Sequence, residues 1–143
     1  MFPNAKGSEL IGVIGTVPAQ AVAGASVDTG WISVAGVFSL LAMIEVGALG
    51  ASATVSGAIT QAQDASGTGA KALKSIPAMS TSNQISLADV LADSLDSNNG
   101  FGFVKLAVTV TGASSLVSAK LFSSVSRFYP ASASNVAGVS QIV

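Results

Sequence analysis

The 143-residue chain contains no cysteine and no histidine. Those two absences exclude disulfides, thiolate nucleophiles, imidazole bases and zinc sites built on sulfur or imidazole. Charge is also scarce, at 9 % of residues, against about 25 % in an average soluble domain. Aromatic residues make up only 6 %, with a single Trp and a single Tyr. What is abundant is small: 24 Ala, 22 Ser, 17 Val and 15 Gly, in a chain that is 50 % hydrophobic. Most enzyme chemistry is removed before any motif is read, and the chain is expected not to be an enzyme.

A folded monomer of this length has one core and exposes roughly 6,700 Å². Six basic and seven acidic side chains are thin cover for that surface. A chain of positive mean hydropathy with so few charges is expected to hide much of its surface against copies of itself or another protein. The basic residues Lys6, Lys71, Lys74, Lys105, Lys120 and Arg127 are scattered, with no run and no interleaved aromatics, so nucleic-acid binding is not expected.

No membrane span is expected either. The charge-free stretches Leu10–Val27 and Val46–Gln63 are broken by Pro18, Gln20 and several glycines, and the more apolar window Trp31–Leu49 carries Glu45. Ala21-Val22-Ala23 imitates a signal-peptidase site, but the apolar run before it is short and interrupted by Gly12 and Gly15, and Lys6 is offset by Glu9, so an intracellular product is expected.

Met1–Gly30 reads as an extended N-terminal arm punctuated by Pro3, Gly7, Gly12, Gly15, Pro18 and Gly24. Its short apolar pieces, with Leu10, Ile11, Val13, Ile14 and Val17, are suited to adding a strand to an open edge on a neighbouring subunit. From Trp31 to Pro130 short β-like runs alternate with Gly, Ser and Asn, the pattern of a sandwich. Seven strands are expected: Trp31–Val34, Phe38–Val46, Ala53–Gln61, Ala72–Ile76, Gln84–Leu87, Phe101–Thr111 and Leu116–Ser123. Phe38–Val46 is apolar on both faces and is expected at the centre of a sheet. Phe101–Thr111 directs Val104, Leu106, Val108 and Val110 inward. Leu87, Val90, Leu91 and Leu95 recur at helical spacing behind Ser86, with Asp89 three residues on, which predicts one short helix within Ser86–Asp96. Ala131–Val143 is a low-complexity tail. The expected fold is all-β, a single antiparallel, jelly-roll-like sandwich of about seven strands with an extended arm and one short helix.

The chemical motifs are weak. Gly67-Thr68-Gly69-Ala70-Lys71 lacks phosphate-loop spacing and reads as a turn between strands. Asp89, Asp93 and Asp96 share a face only if the helix forms, and Asp96–Gly100 has no bidentate Glu downstream, so no metal is expected. Glu45 stands alone in an apolar run and reads as an outward strand residue rather than half of a catalytic pair. Trp31 and the Arg127-Phe128-Tyr129 cluster read as packing or interface residues, with sugar stacking as their alternative use. No cofactor is expected.

Three segments in order resemble the small virion proteins encoded in tailed-bacteriophage head operons and prophages. They are Thr60–Leu73, with its Gln-Ala and Gly-Thr-Gly-Ala-Lys-Ala-Leu pieces; Leu95-Asp96 followed by Gly100-Phe101 and Val104-Lys105-Leu106; and Arg127–Ser132. Lys105 stands where that family often has Arg, and Phe38–Val46 is more apolar than its counterpart. The resemblance implies a capsid decoration (cement) protein on the outer surface of the phage head. Its partners would be the major capsid protein and neighbouring copies in a dimer or trimer, its place the virion, and its site of synthesis the host cytoplasm. Contacts are assigned to Leu10, Ile11, Val13, Ile14, Val17, Trp31, Arg127, Phe128 and Tyr129. A tail or connector component and a carbohydrate-binding surface module are the alternatives.

Overall fold

The structure is a computed structural model that describes residues 4–143. Met1 to Pro3, the first residues of the expected arm, lie outside the described residues. A single α-helical turn, α1 (Gly7–Leu10), leads into nine strands. These are β1 (Gly12–Val22), β2 (Ser26–Asp28), β3 (Ile32–Ser33), β4 (Val37–Val46), β5 (Thr54–Ala62), β6 (Lys71–Met79), β7 (Gln84–Leu91), β8 (Phe103–Thr111) and β9 (Ser115–Ser126).

The strands form two antiparallel sheets, ordered β1-β9-β4-β7 and β2-β8-β5-β6, with β3 following β2 along the edge of β8. Chain connections pass repeatedly from one sheet to the other, and without the two-residue β3 the order is that of an eight-stranded jelly roll. Period-two alternation explains why the sheets face each other as they do. In β8 the inward residues Val104, Leu106, Val108 and Val110 are all fully or almost fully buried. In β4 the inward set is Leu40, Ala42, Ile44 and Val46, and β4 lies between β9 and β7 as its two-faced apolar pattern requires. At Gly57 the sheets approach closely, since a Cβ on it would run into Ile44 Cδ1 from the opposite layer.

Two expectations are corrected. Within the expected arm Gly12–Val22 and Ser26–Asp28 are extended, but the edges they join belong to their own chain: β1 pairs with β9 from Gly12↔Ser123 to Val22↔Ser115, and β2 pairs with β8. Two register shifts in β1 hide its alternation, so the sequence reads as an irregular arm although both strands are part of the sandwich. The helix expected in Ser86–Asp96 is not present. Ser86 to Leu91 continue β7, and only the 3₁₀ turn Ala92–Ser94 is helical there.

Candidate interaction surface

The inner faces make one core, so any site lies on the outer faces, the edges or the loop ends. On the first sheet the outer rows run Val13–Phe122–Leu41–Asp89 and Thr16–Lys120–Met43–Leu87 across β1, β9, β4 and β7. A third row is Ser118–Glu45–Ile85, so this face sets large apolar side chains among three charged ones, Lys120, Asp89 and Glu45. Its β1 side is covered by the C-terminal segment, because Val136 N–H donates to Val13 O at 2.8 Å and Val13 N–H donates to Asn135 Oδ1 at 2.8 Å. Beneath that segment Val13, Met43, Phe122 and Val139 line a cavity of about 570 Å³. The β7 side has no such cover: Ile85, Leu87 and Leu91 are 59 %, 61 % and 58 % exposed, and Phe38 next to them is 51 % exposed.

The second sheet differs. Its outer rows pair Thr54 with Thr111, Ser56 with Thr109, Ala58 with Ala107 and Thr60 with Lys105. Lys105 lies 3.4 Å from Asp28 Oδ2 and 4.8 Å from the Trp31 ring centroid.

The structure distributes the sequence-assigned contact residues widely. Ile14 and Val17 are corrected: they face the core, 7 % and 0 % exposed, because the bulge between Val13 and Gly15 turns both inward. Ile11 is exposed and Val13 half-buried under the C-terminal segment. Leu10 lines a cavity of about 300 Å³ with Glu9, Tyr129 and Pro130. Trp31 is half-buried between Lys105 and Gly67, whose φ of 86° places its backbone so near that a Cβ would meet the indole nitrogen at 2.6 Å. That indole packs on the β5–β6 turn. Arg127 lies 4.3 Å from the Phe38 ring centroid and donates from Nε to Val37 O, while Phe128 is 76 % exposed. Sequence reasoning missed Ile85, Leu87 and Leu91, although Ile85 and Leu87 alternate with the small residues Ser86 and Ala88 in the manner of a strand.

The loops at one end of the sandwich satisfy their own charges. Asp64 closes the β5–β6 turn by accepting from Thr68 Oγ1 at 2.6 Å and from the Ser66 and Thr68 amides; the Thr68 hydroxyl bond, then those amides, hold its carboxyl below the usual range. Asp96 is lowered likewise, first by Lys71 and then by Asn99, and its own amide donates to Gln61 Oε1. Glu45 is exposed on the outer face of β4. Among the described residues no group of three or more carboxylates is close enough to hold a metal ion.

No family model matches the sequence, and no curated protein matches it. Solved structures do resemble the fold. The VP2 subviral particle of infectious bursal disease virus matches with a TM-score of 0.50 at 12 % identity, over 85 % of this chain and 33 % of the viral one. The T13 particle of the same virus gives a TM-score of 0.49 at 10 % identity, over 78 % and 30 %. A xylan-binding CBM22-2 domain of Xyn10C from Paenibacillus barcinonensis gives 0.41 at 11 % identity, over 80 % and 91 %. The chain spans about a third of the viral proteins it matches. At these identities the first likeness shows a shared sandwich fold, and the two weaker ones carry no argument.

Proposed function

We propose that this protein is a structural component of a virion, a decoration or cement protein that binds the outer surface of a bacteriophage capsid shell through its apolar faces and stabilises it mechanically. The observation that carries the reading is the surface itself. Thirteen charged side chains are spread over 7514 Å², and the outer face of the first sheet keeps Phe38, Ile85, Leu87 and Leu91 in the open. Exposed Phe, Ile and Leu side chains on one face are the kind of surface that subunits of a repeated assembly bury, and many weak contacts add up by multivalency. The absence of histidine and cysteine, and the self-satisfied carboxylates at the loop end, fit a mechanical rather than a catalytic role. The major capsid protein is the proposed partner, the virion the proposed location, and no enzymatic activity is proposed.

The test is the copy number of this protein relative to the major capsid protein in purified particles, measured by quantitative mass spectrometry. A ratio of one, or a simple fraction of it, is expected. A ratio about a hundredfold lower moves the protein to the tail or connector, and its absence from particles overturns the virion reading.

A further inference from the structure

We propose that β7 is a pairing edge and that its occupant is β7 of a second copy, so that two first sheets join into one eight-stranded sheet about a two-fold axis. This names the surface for the self-association in the reading above, but its physical basis is separate. The four outer edges of the sandwich are not treated alike. The β1 edge is capped at Val13 by Asn135 and Val136, holds Pro18 and has two register shifts. The β2 and β3 edge is only three and two residues long. The β6 edge carries Lys71, Lys74 and Pro77 and two register shifts. Short strands, bulges, lysines and prolines are the devices that keep an edge from pairing with another chain.

β7 is long and has no bulge, proline or lysine of its own, and among the described residues its only charged groups are Asp89 and the Lys74 ammonium that reaches it from β6. Its eight residues run against β4 without a shift from Ser39↔Leu91 to Val46↔Gln84. The one bond its open side receives among the described residues comes from Lys74 Nζ, which donates to Asp89 O at 2.7 Å. That bond fixes which groups face outward: if the Asp89 carbonyl points to the open side, antiparallel alternation sends the backbone groups of Ile85, Leu87 and Leu91 the same way. Lys74 is exposed and swings aside on pairing.

The second copy is favoured by self-complementarity. An antiparallel pair centred on Ala88 sets Ile85 against the partner's Leu91 and Leu87 against the partner's Asp89. Every residue from Ile85 to Leu91 is then matched, the outward-facing backbone groups meet each other, and no carboxylate lies directly opposite its own copy. Centring on Asp89 would put the two carboxylates face to face. Ile85 and Leu91, each more than half exposed, then cover one another at both ends of the ladder. An edge pairing of this kind is isologous and closes at two copies.

The test is sedimentation equilibrium of the full chain together with three variants. The unaltered protein is expected at twice the 14.0 kDa chain mass, and Leu87→Lys at the single mass with its thermal midpoint kept. The chain has no cysteine, so Ala88→Cys reports the register: under oxidation it is expected to cross-link to itself, while Ile85→Cys does so only when mixed with Leu91→Cys. A monomer at all concentrations, a trimer, a dimer unaffected by Leu87→Lys, or cross-linking of Ile85→Cys to itself overturns the proposal. Should Leu87→Lys fail to fold, the cysteine pattern alone decides. Absence of the protein from virions overturns the virion reading and leaves these results standing.

Discussion

Across the outer face of the second sheet the chain sets Thr111 beside Thr54, Thr109 beside Ser56 and Ala107 beside Ala58, whereas the first sheet sets Lys120 beside Met43 and Leu87, and Phe122 beside Leu41. Both faces are backed by the same Val, Ile and Leu core, so core burial does not explain the difference. Short hydroxyl and methyl side chains make a face that can stay in water, since they offer it hydrogen-bonding groups and little apolar area. Leu, Met, Ile and Phe make a face that gains from cover, at about 25 cal/mol per Å² of apolar surface removed from water. The C-terminal segment supplies that cover over β1 and β9, and the β7 side is left uncovered among the described residues. One sandwich therefore has a wet side and an adhesive side.

The largest effect is expected where the adhesive side is already covered. Phe122→Ser removes a half-buried ring from under Val136 and Val139, and it is expected to cost about 2–3 kcal/mol, below the full range for truncating a buried Phe. The comparison substitution, Ala107→Ser on the wet side, is expected to stay within about 0.5 kcal/mol. Urea denaturation of both variants checks this. Equal losses would mean that the faces do not differ in kind.

This contrast was only partly legible in the sequence. β8 was, because Val104, Leu106, Val108 and Val110 alternate with Lys105, Ala107 and Thr109 in strict period two. The β5–β6 turn was also readable, since Asp64, Gly67 and Gly69 are residues that such a turn requires. β7 was legible only in its first half, Gln84–Leu87, for a physical reason. Its inward residues include Ser86 and Ala88 while its outward ones are Ile85, Leu87 and Leu91, so its polarity is inverted and the leucines fall at a helical spacing. That inversion leaves the large apolar side chains of an edge strand on its exposed face. In β1 the bulges place Ile14 and Val17 on the same side, which no alternation rule anticipates. A contact list drawn from apolar residues near the start of the chain therefore mixed core with surface.

A smaller effect, of opposite sign, sharpens the comparison on the wet side. Among the described residues Thr60 Oγ1 is buried and has no hydrogen-bond partner, beneath the row it shares with Lys105. A buried hydroxyl left unpaired is a cost that an apolar isostere avoids. Thr60→Val is expected to leave stability unchanged or raise it by up to about 1 kcal/mol, read from the urea midpoint at constant m-value. A clear loss would give the hydroxyl a partner outside the chain and make this face an interface as well.

The smallest effect at neutral pH lies at the loop end, where neither face is involved. Asp96 has its carboxyl lowered from 3.8 by Lys71 and Asn99, and Asp64 is lowered by Thr68. A carboxyl whose folded pKa is depressed contributes stability above its unfolded value, and that contribution disappears as pH falls through the folded one. The unfolded chain binds the extra protons, so the urea midpoint is expected to hold between pH 7 and 5 and to decline below about 4. Asp96→Asn should flatten part of that decline while shifting the midpoint little at pH 7, since both partners of the Lys71 pair are solvent-accessible. An unchanged acid limb would assign the decline to other carboxylates. A large loss at pH 7 would show instead that the Lys71, Asp96 and Asn99 cluster holds the β7–β8 loop, and with it the end of the pairing edge.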